Sequence, residues 1–417
     1  MKKNIKKPIG AFLLAPLFLL LLFPSCSRDV EKMIQENTSQ KNFDFDELAA
    51  VQDAKGLYCS LYPSQLRDAS ELEVASVSYA SSSRLRSSDS AQADVCVVNF
   101  KGDHGFVVMS PQVGNAPIAV VEQGNFSLTK APSSKQDSVM HFLIDNALGS
   151  DYIREFKQLA ETTDRENFED RGFELVELIE HKTRTRWGQK SLYFPTEENY
   201  AAGCVAVALG QAFAYYKKIN NPIFPGISVD LKAIEKECAK NNGNLTISSP
   251  EYIQKGVYNL LLWIGLKCNA KYGVKETSMR SKSALKLAQT QGYDTCPSMY
   301  KFSAQNVRNG LLDNKLTYMH GSGEERYFIF HSWSWTVGGH AWLADGYARM
   351  KSPSVRDRTY ELVHVNWGWG GSLDGYFYEN VFDASHEPIV PSGDLRSSND
   401  EYNFQYGVEM SHIFPLK

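Results

Sequence analysis

Residues 201–218 read AAGCVAVALGQAFAYYKK. After Gly203, apolar side chains recur at Val205, Ala208, Leu209, Ala212, Phe213 and Tyr216, a spacing that places them on one face of a helix and predicts that this face is buried. Cys204 opens the helix. The unpaired amides of a first turn and the positive end of the helix dipole favour a thiolate, the form of cysteine that attacks a carbonyl carbon. A small core cysteine fits the same position, so the thiol gains meaning only from a base near it.

An imidazole suits that task, because it takes the thiol proton and later returns one to a leaving amine. Among nine histidines, His340 lies 136 residues beyond Cys204, inside the roughly 130–150-residue separation of papain-like enzymes. It opens the run HAWLADGYARM, after Gly338 and Gly339, which permit close approach of backbone or substrate. If this run and YELVHVNWG (360–368) form an antiparallel hairpin around KSPSVRDR, His340 faces Asn366 or its neighbours. An amide there would fix the ring's angle and tautomer, and Trp367 and Trp369 would exclude solvent. Gln189, in TRWGQ, is a candidate to give its side-chain amide to an oxyanion, together with the backbone amide of Cys204. Taken singly, a structural histidine, a turn asparagine and a surface glutamine account for these residues as well.

Together, AAGCVAVALGQAFAYYKK, VGGHAWLADGY and HVNWGWGGSLDGYFY resemble, in that order, the streptopain family of bacterial cysteine endopeptidases. TRWGQKSLYFP resembles the family's oxyanion-glutamine segment, and DHGFVVMSPQVGNAPIAVVEQGNF (103–126) its inhibitory propeptide. The resemblance covers most of the chain after the N-terminal apolar segment. It implies an α+β fold: a papain-like cysteine protease domain, with a central helix packed on antiparallel sheet, preceded by a smaller α+β prodomain. It also implies Cys204 as nucleophile, His340 as base and Gln189 as oxyanion donor, with Asn366, Trp367 and Trp369 supporting the histidine. Substrates would be proteins or peptides, and no metal or organic cofactor is implied. Val207 and Gly210 depart from the family's usual threonine and alanine.

Upstream, MKKNIKKPIGAFLLAPLFLLLLFPSCS places four lysines before an apolar run from Pro8 to Pro24, the pattern of an export signal. Its FPSC ending resembles a bacterial lipoprotein box, which would lipidate Cys26 and tether the protein to a membrane of the cell envelope. The expected organisation is a signal over 1–26, a tether over 27–44, an inhibitory propeptide over 45–184 and a peptidase over 185–417. In the propeptide, LEVASVSYA, DVCVVNF, GFVVMS and APIAVVEQG read as strands, Ser81–Asp94 as a loop and Asp137–Leu159 as helical. The basic stretch HKTRTR (181–186) reads as an exposed junction, cut near Lys182, Arg184 or Arg186. The GNAP turn, Gly114–Pro117, is the candidate loop that keeps His340 from Cys204.

Composition sets the outer bounds. The chain has 417 residues, 43% hydrophobic and 22% charged, enough for a globular protein of more than one domain. A formal charge of −4 without a basic block beyond the N-terminus argues against a nucleic-acid partner. Six cysteines follow Cys26 at wide, irregular spacings, unlike a disulfide-stapled scaffold, and no CxxC pair suggests zinc. Two other functions fit parts of the chain. One is a cell-wall amidase using the same Cys–His pair, against which the propeptide-like region argues. The other is a catalytically silent surface lipoprotein that binds proteins, against which the joint presence of Cys204, His340, Gln189 and Asn366 argues.

Overall fold

The computed structural model describes residues 46–65, 69–80, 94–102, 104–128, 135–149, 172–219, 224, 227–274, 276–327, 334–352, 359–382 and 407–416. The signal, the tether, Cys26 and the loop 81–93 lie outside the described residues, as do 150–159 of the expected second helical stretch.

The first region opens with helix α1 (Glu47–Leu61), whose start is capped by Asp46, its carboxylate accepting the Ala49 N–H at 2.9 Å. Four strands follow as an antiparallel meander, β1 (Val74–Ala80), β2 (Val95–Phe100), β3 (Phe106–Ser110) and β4 (Ala116–Val121). All residues of β2, β3 and β4 are buried, which explains why these runs are almost wholly apolar. Helix α2 (Lys135–Gly149) is the last described element before Gly172.

The second region begins with β5 (Glu174–Ile179) and the expected helix α3 (Cys204–Tyr216), buried from Val205 to Ala214. Four helices the sequence reading did not anticipate come next: α4 (Leu231–Lys240), α5 (Glu251–Lys267), α6 (Ser281–Thr290) and, after the short strands β6 (Tyr293–Thr295) and β7 (Tyr300–Lys301), α7 (Ala304–Leu312). The remaining strands are β8 (Leu316–Tyr327), β9 (Ser334–Lys351), β10 (Thr359–Asn366), β11 (Gly375–Tyr378) and β12 (Val408–Pro415). The expected hairpin is present as β9–β10, with Lys351 opposite Thr359 and Leu343 opposite Asn366.

One sheet runs through both regions in the order β1-β2-β3-β4-β11-β10-β9-β8-β12-β6, with β5 against β9 and β7 against β12. The join is β4 against β11, where Val121 faces Gly375 and Ala119 faces Phe377. Strand alternation divides the core in two. On β9, Ala341 and Leu343 pack with the helices α3 to α6, whereas Trp342 and Ala344 pack with the cluster that extends into the first region.

The stretch 181–186 departs from its expected exposure. Thr183, Thr185 and Arg186 are buried, and only Arg184 of the six is exposed. Thr183 donates to the Asp345 carboxylate through its backbone N–H (2.9 Å) and its hydroxyl, and Arg186 N–H donates to Gly243 O at 2.7 Å. His181 stacks on His364, and Gly346 leaves room for this crossing: a Cβ there would lie 3.1 Å from the His181 backbone. Arg186 forms a buried ion pair with Glu122, at the end of β4. Burial pushes the Glu122 carboxyl up, but the Arg186 charge and hydrogen bond, with His181 and His364 adding, hold it below its ordinary value. Its contribution to stability is therefore complete above the ordinary glutamate range and lost as pH falls through the depressed value. Glu122→Gln should destabilise the chain by about 3–5 kcal/mol at pH 7, since it strands a buried guanidinium, and by less in acid. Thermal unfolding at pH 7 and pH 3.5 checks this; equal shifts at both pH values would contradict the ion-pair assignment.

Candidate active site

Gly203 stands before α3 with φ 90°, ψ 140°, a backbone shape that glycine adopts readily, and turns the chain so that Cys204 is the first helical residue. The segment before it is fixed by Gln189, whose backbone oxygen accepts the Ala202 N–H at 2.8 Å. Gln189 is thus held two residues from the turn into Cys204, and its side chain is half-buried. Cys204 itself keeps partial exposure. Burial pushes its thiol up, and the amides of Ala341, Val205 and Cys204 draw it part of the way back, while Glu276 pushes it further up. The net direction is upward, so desolvation outweighs the helix-start effect that the sequence predicts for this thiol.

His340 is reached through Gly339, with φ 126°, and is buried. Its Nε2 lies 2.7 Å from the Trp367 carbonyl oxygen. Its ring stacks on Trp369, with centroids 4.6 Å apart, and packs beside Trp342 and Trp367. The ring lies on the Trp342 side of β9, and the amide of the next residue, Ala341, serves the Cys204 sulfur. No hydrogen bond joins Cys204 to His340 among the described residues. The site thus brings the thiol to the residue that follows His340, and holds the imidazole against tryptophan.

Asn366 directly precedes Trp367, and its side chain bonds elsewhere than to the His340 ring. Its side-chain NH₂ donates to Thr185 O (2.7 Å), Thr183 Oγ1 (3.2 Å) and Gln211 Oε1 (3.3 Å), and its Oδ1 accepts from Gln211 Nε2 (3.0 Å) and Gly368 N (3.2 Å). The orienting contact expected of Asn366 is made in this state by the carbonyl of its neighbour Trp367. The turn that follows, WGWGG, needs its glycines: Gly368, Gly370 and Gly371 all have positive φ. Asp374 closes the turn by accepting the Trp367 N–H at 2.9 Å, and burial raises its carboxyl to about 7.

Val207 and Gly210 find an explanation in packing. A Cβ on Gly368 would come 3.0 Å from Val207, and one on Gly210 would come 3.0 Å from Leu261 and 3.1 Å from Trp187. The GNAP turn does not reach the site. Asn115 donates to Asp53 of α1 at 2.8 Å, and the end of β4 toward the site is instead Val121–Glu122, where Glu122 N–H donates to Asp374 O at 3.0 Å. The sequence reading missed Gln211, Asp374 and Glu122. Cys96, Cys204, Cys238, Cys268 and Cys296 are free thiols, and no group of three or more potential metal ligands occurs among the described residues.

The fold is α+β, papain-like, with a helix bearing cysteine packed on antiparallel sheet, and it matches a fragment of prointerpain A from Prevotella intermedia carrying a cysteine-to-alanine substitution. That match has a TM-score of 0.50 at 16% identity and covers 83% of this chain and 98% of the fragment. Residues 187–377 match the model of the Peptidase C10 family. Streptopain from Streptococcus pyogenes is 28% identical over 212 residues, a match that covers 45% of this chain and 48% of streptopain, so the chain spans about half the length of that relative.

In the intact chain, Cys204 should be alkylated by iodoacetamide more slowly at pH 7 than a free thiol, with a rate still rising above pH 9, as peptide mapping would resolve. A plateau reached below pH 8 would show a thiolate–imidazolium pair already formed.

Proposed function

We propose that the chain is a cysteine endopeptidase made as a zymogen, exported and held at the bacterial cell envelope by lipid on Cys26. The observation that carries the peptidase reading is the placement of Cys204 as the first residue of α3, with Gln189 bonded to Ala202 just before it and α3 packed on β9, the strand that bears His340. Activation then needs the His340 ring to leave the Trp367 carbonyl and meet the thiol. The imidazole takes the thiol proton, and sulfur attacks the peptide carbonyl carbon. The resulting oxyanion is held by the Gln189 side chain and the Cys204 amide. Collapse breaks the C–N bond, and the amine leaves with the proton from His340. Water, deprotonated by the same ring, releases the acid from the acyl-enzyme.

Proteins or peptides are the substrate class, and the first region is the intramolecular inhibitor. Its strand β4 extends the peptidase sheet, and its Glu122 reaches the Trp367–Asp374 turn that holds His340. The burial of Thr183, Thr185 and Arg186 and the pairing of β5 with β9 support release by cleavage before Glu174, in place of the expected cuts at Lys182, Arg184 or Arg186. Cys204→Ala and His340→Ala should each lower casein hydrolysis by at least a hundredfold without unfolding the chain. Activity near wild type in either variant would overturn the assignment. The mature form should begin upstream of Glu174 by N-terminal sequencing, and a start at 183–187 would contradict this boundary.

Anchoring rests on the lysine-flanked apolar run and the FPSC ending; among the described residues no helix is long and apolar enough to cross a membrane. Fatty-acid label incorporated in the native host should vanish in Cys26→Ala, and label that persists would refute the lipid site.

A further inference from the structure

Gln211 lies seven residues beyond Cys204, about two turns along the same helical face, and is fully buried. A buried amide in an otherwise apolar helix must find partners, and this one finds them on two other elements. Its Oε1 accepts the Trp187 N–H at 2.9 Å, at the start of the segment that leads to Gln189. Its Nε2 donates to Asn366 Oδ1 at 3.0 Å, and its Oε1 takes the Asn366 NH₂ at 3.3 Å, an amide-to-amide pair. Asn366 Oδ1 also accepts from Gly368 N, so the pair brackets Trp367, whose carbonyl contacts the His340 ring. Trp187 O in turn accepts from Gly370 N at 3.2 Å. One side chain on the nucleophile's helix therefore meets both the oxyanion segment and the turn that carries the histidine's contact.

We infer that Gln211 is a positioning residue, which sets the Asn366–Trp367 corner, and through it His340, in register with Cys204 and Gln189. The inference rests on the cysteine-peptidase reading above. An apolar side chain of equal length fills the same volume but cannot join the two elements. An ionised glutamate can accept from Trp187 and from the Asn366 NH₂, but it has no proton to give to Asn366 Oδ1. A protonated glutamate regains that donor.

The test uses the full chain, with Gln211→Met and Gln211→Glu processed by a trace of wild-type protein and assayed on a short peptide across pH. For Gln211→Met the expected result is a fall in kcat of tenfold or more with KM changed less than twofold, and a displaced acid limb of kcat/KM. For Gln211→Glu the deficit relative to wild type should shrink as pH is lowered. A merely structural role would lower the melting temperature and leave the pH profile in place. Wild-type kcat and an unshifted profile in both variants would overturn the inference, as would failure of both variants to fold, which would assign the pair to core stability. An inactive wild-type protein with unlabelled Cys204 would instead overturn the peptidase reading itself.

Discussion

The pairing of β4 with β11 is the constraint on which the rest of the structure depends. Without it β11 is an edge strand, and the meander of the first region ends in an unpaired edge of its own. With it, a single sheet carries both regions, and Val121 is set opposite Gly375. That register delivers Glu122 to two partners at once, the guanidinium of Arg186 and the carbonyl of Asp374. From Asp374 a further bond reaches the Trp367 amide, and the Trp367 carbonyl reaches His340. Among the described residues, the first region therefore touches the histidine's surroundings through the end of β4.

The electrostatics of this closed state follow from burial. A helix start favours a thiolate, but at Cys204 desolvation outweighs it. Asp374 shows the same competition, its carboxyl pushed to about 7 by burial despite the nearby Arg186. Glu122 shows the opposite outcome, because Arg186 contacts it directly. Groups a few ångströms apart thus move in opposite directions according to whether a charge of opposite sign is in contact or merely near.

Much of this was legible in the sequence. The α3 helix follows from the spacing of Val205 through Tyr216, and the β9–β10 hairpin from two alternating runs around a polar turn. Helices α4 and α7 carried readable starts, since Asp230 and Ser303 accept from the N–H groups of Ala233 and Asn306. Helix α5 has a weaker start signal, since Pro250 caps it without a side-chain bond, yet Ile253, Val257, Leu260, Leu261 and Ile264 mark its buried face at helical spacing. The Glu122–Arg186 pair spans 64 positions and the Gln211–Asn366 pair 155, so neither leaves a local pattern. HKTRTR misled because charge suggests solvent, whereas this segment crosses β9 and β10 with its polar groups matched to Asp345, Asn366 and Glu122.

Amide hydrogen exchange over residues 375–378 tests the account most directly, followed in the active chain as processing proceeds and in Cys204→Ala as the unprocessed reference. Strong protection is expected across this segment in the intact chain, with the amides that face β4 losing it on the same time course as peptide hydrolysis appears, while those paired with β10 keep it. Full hydrolysis in a chain whose 375–378 amides remain as protected as in the intact form would contradict it.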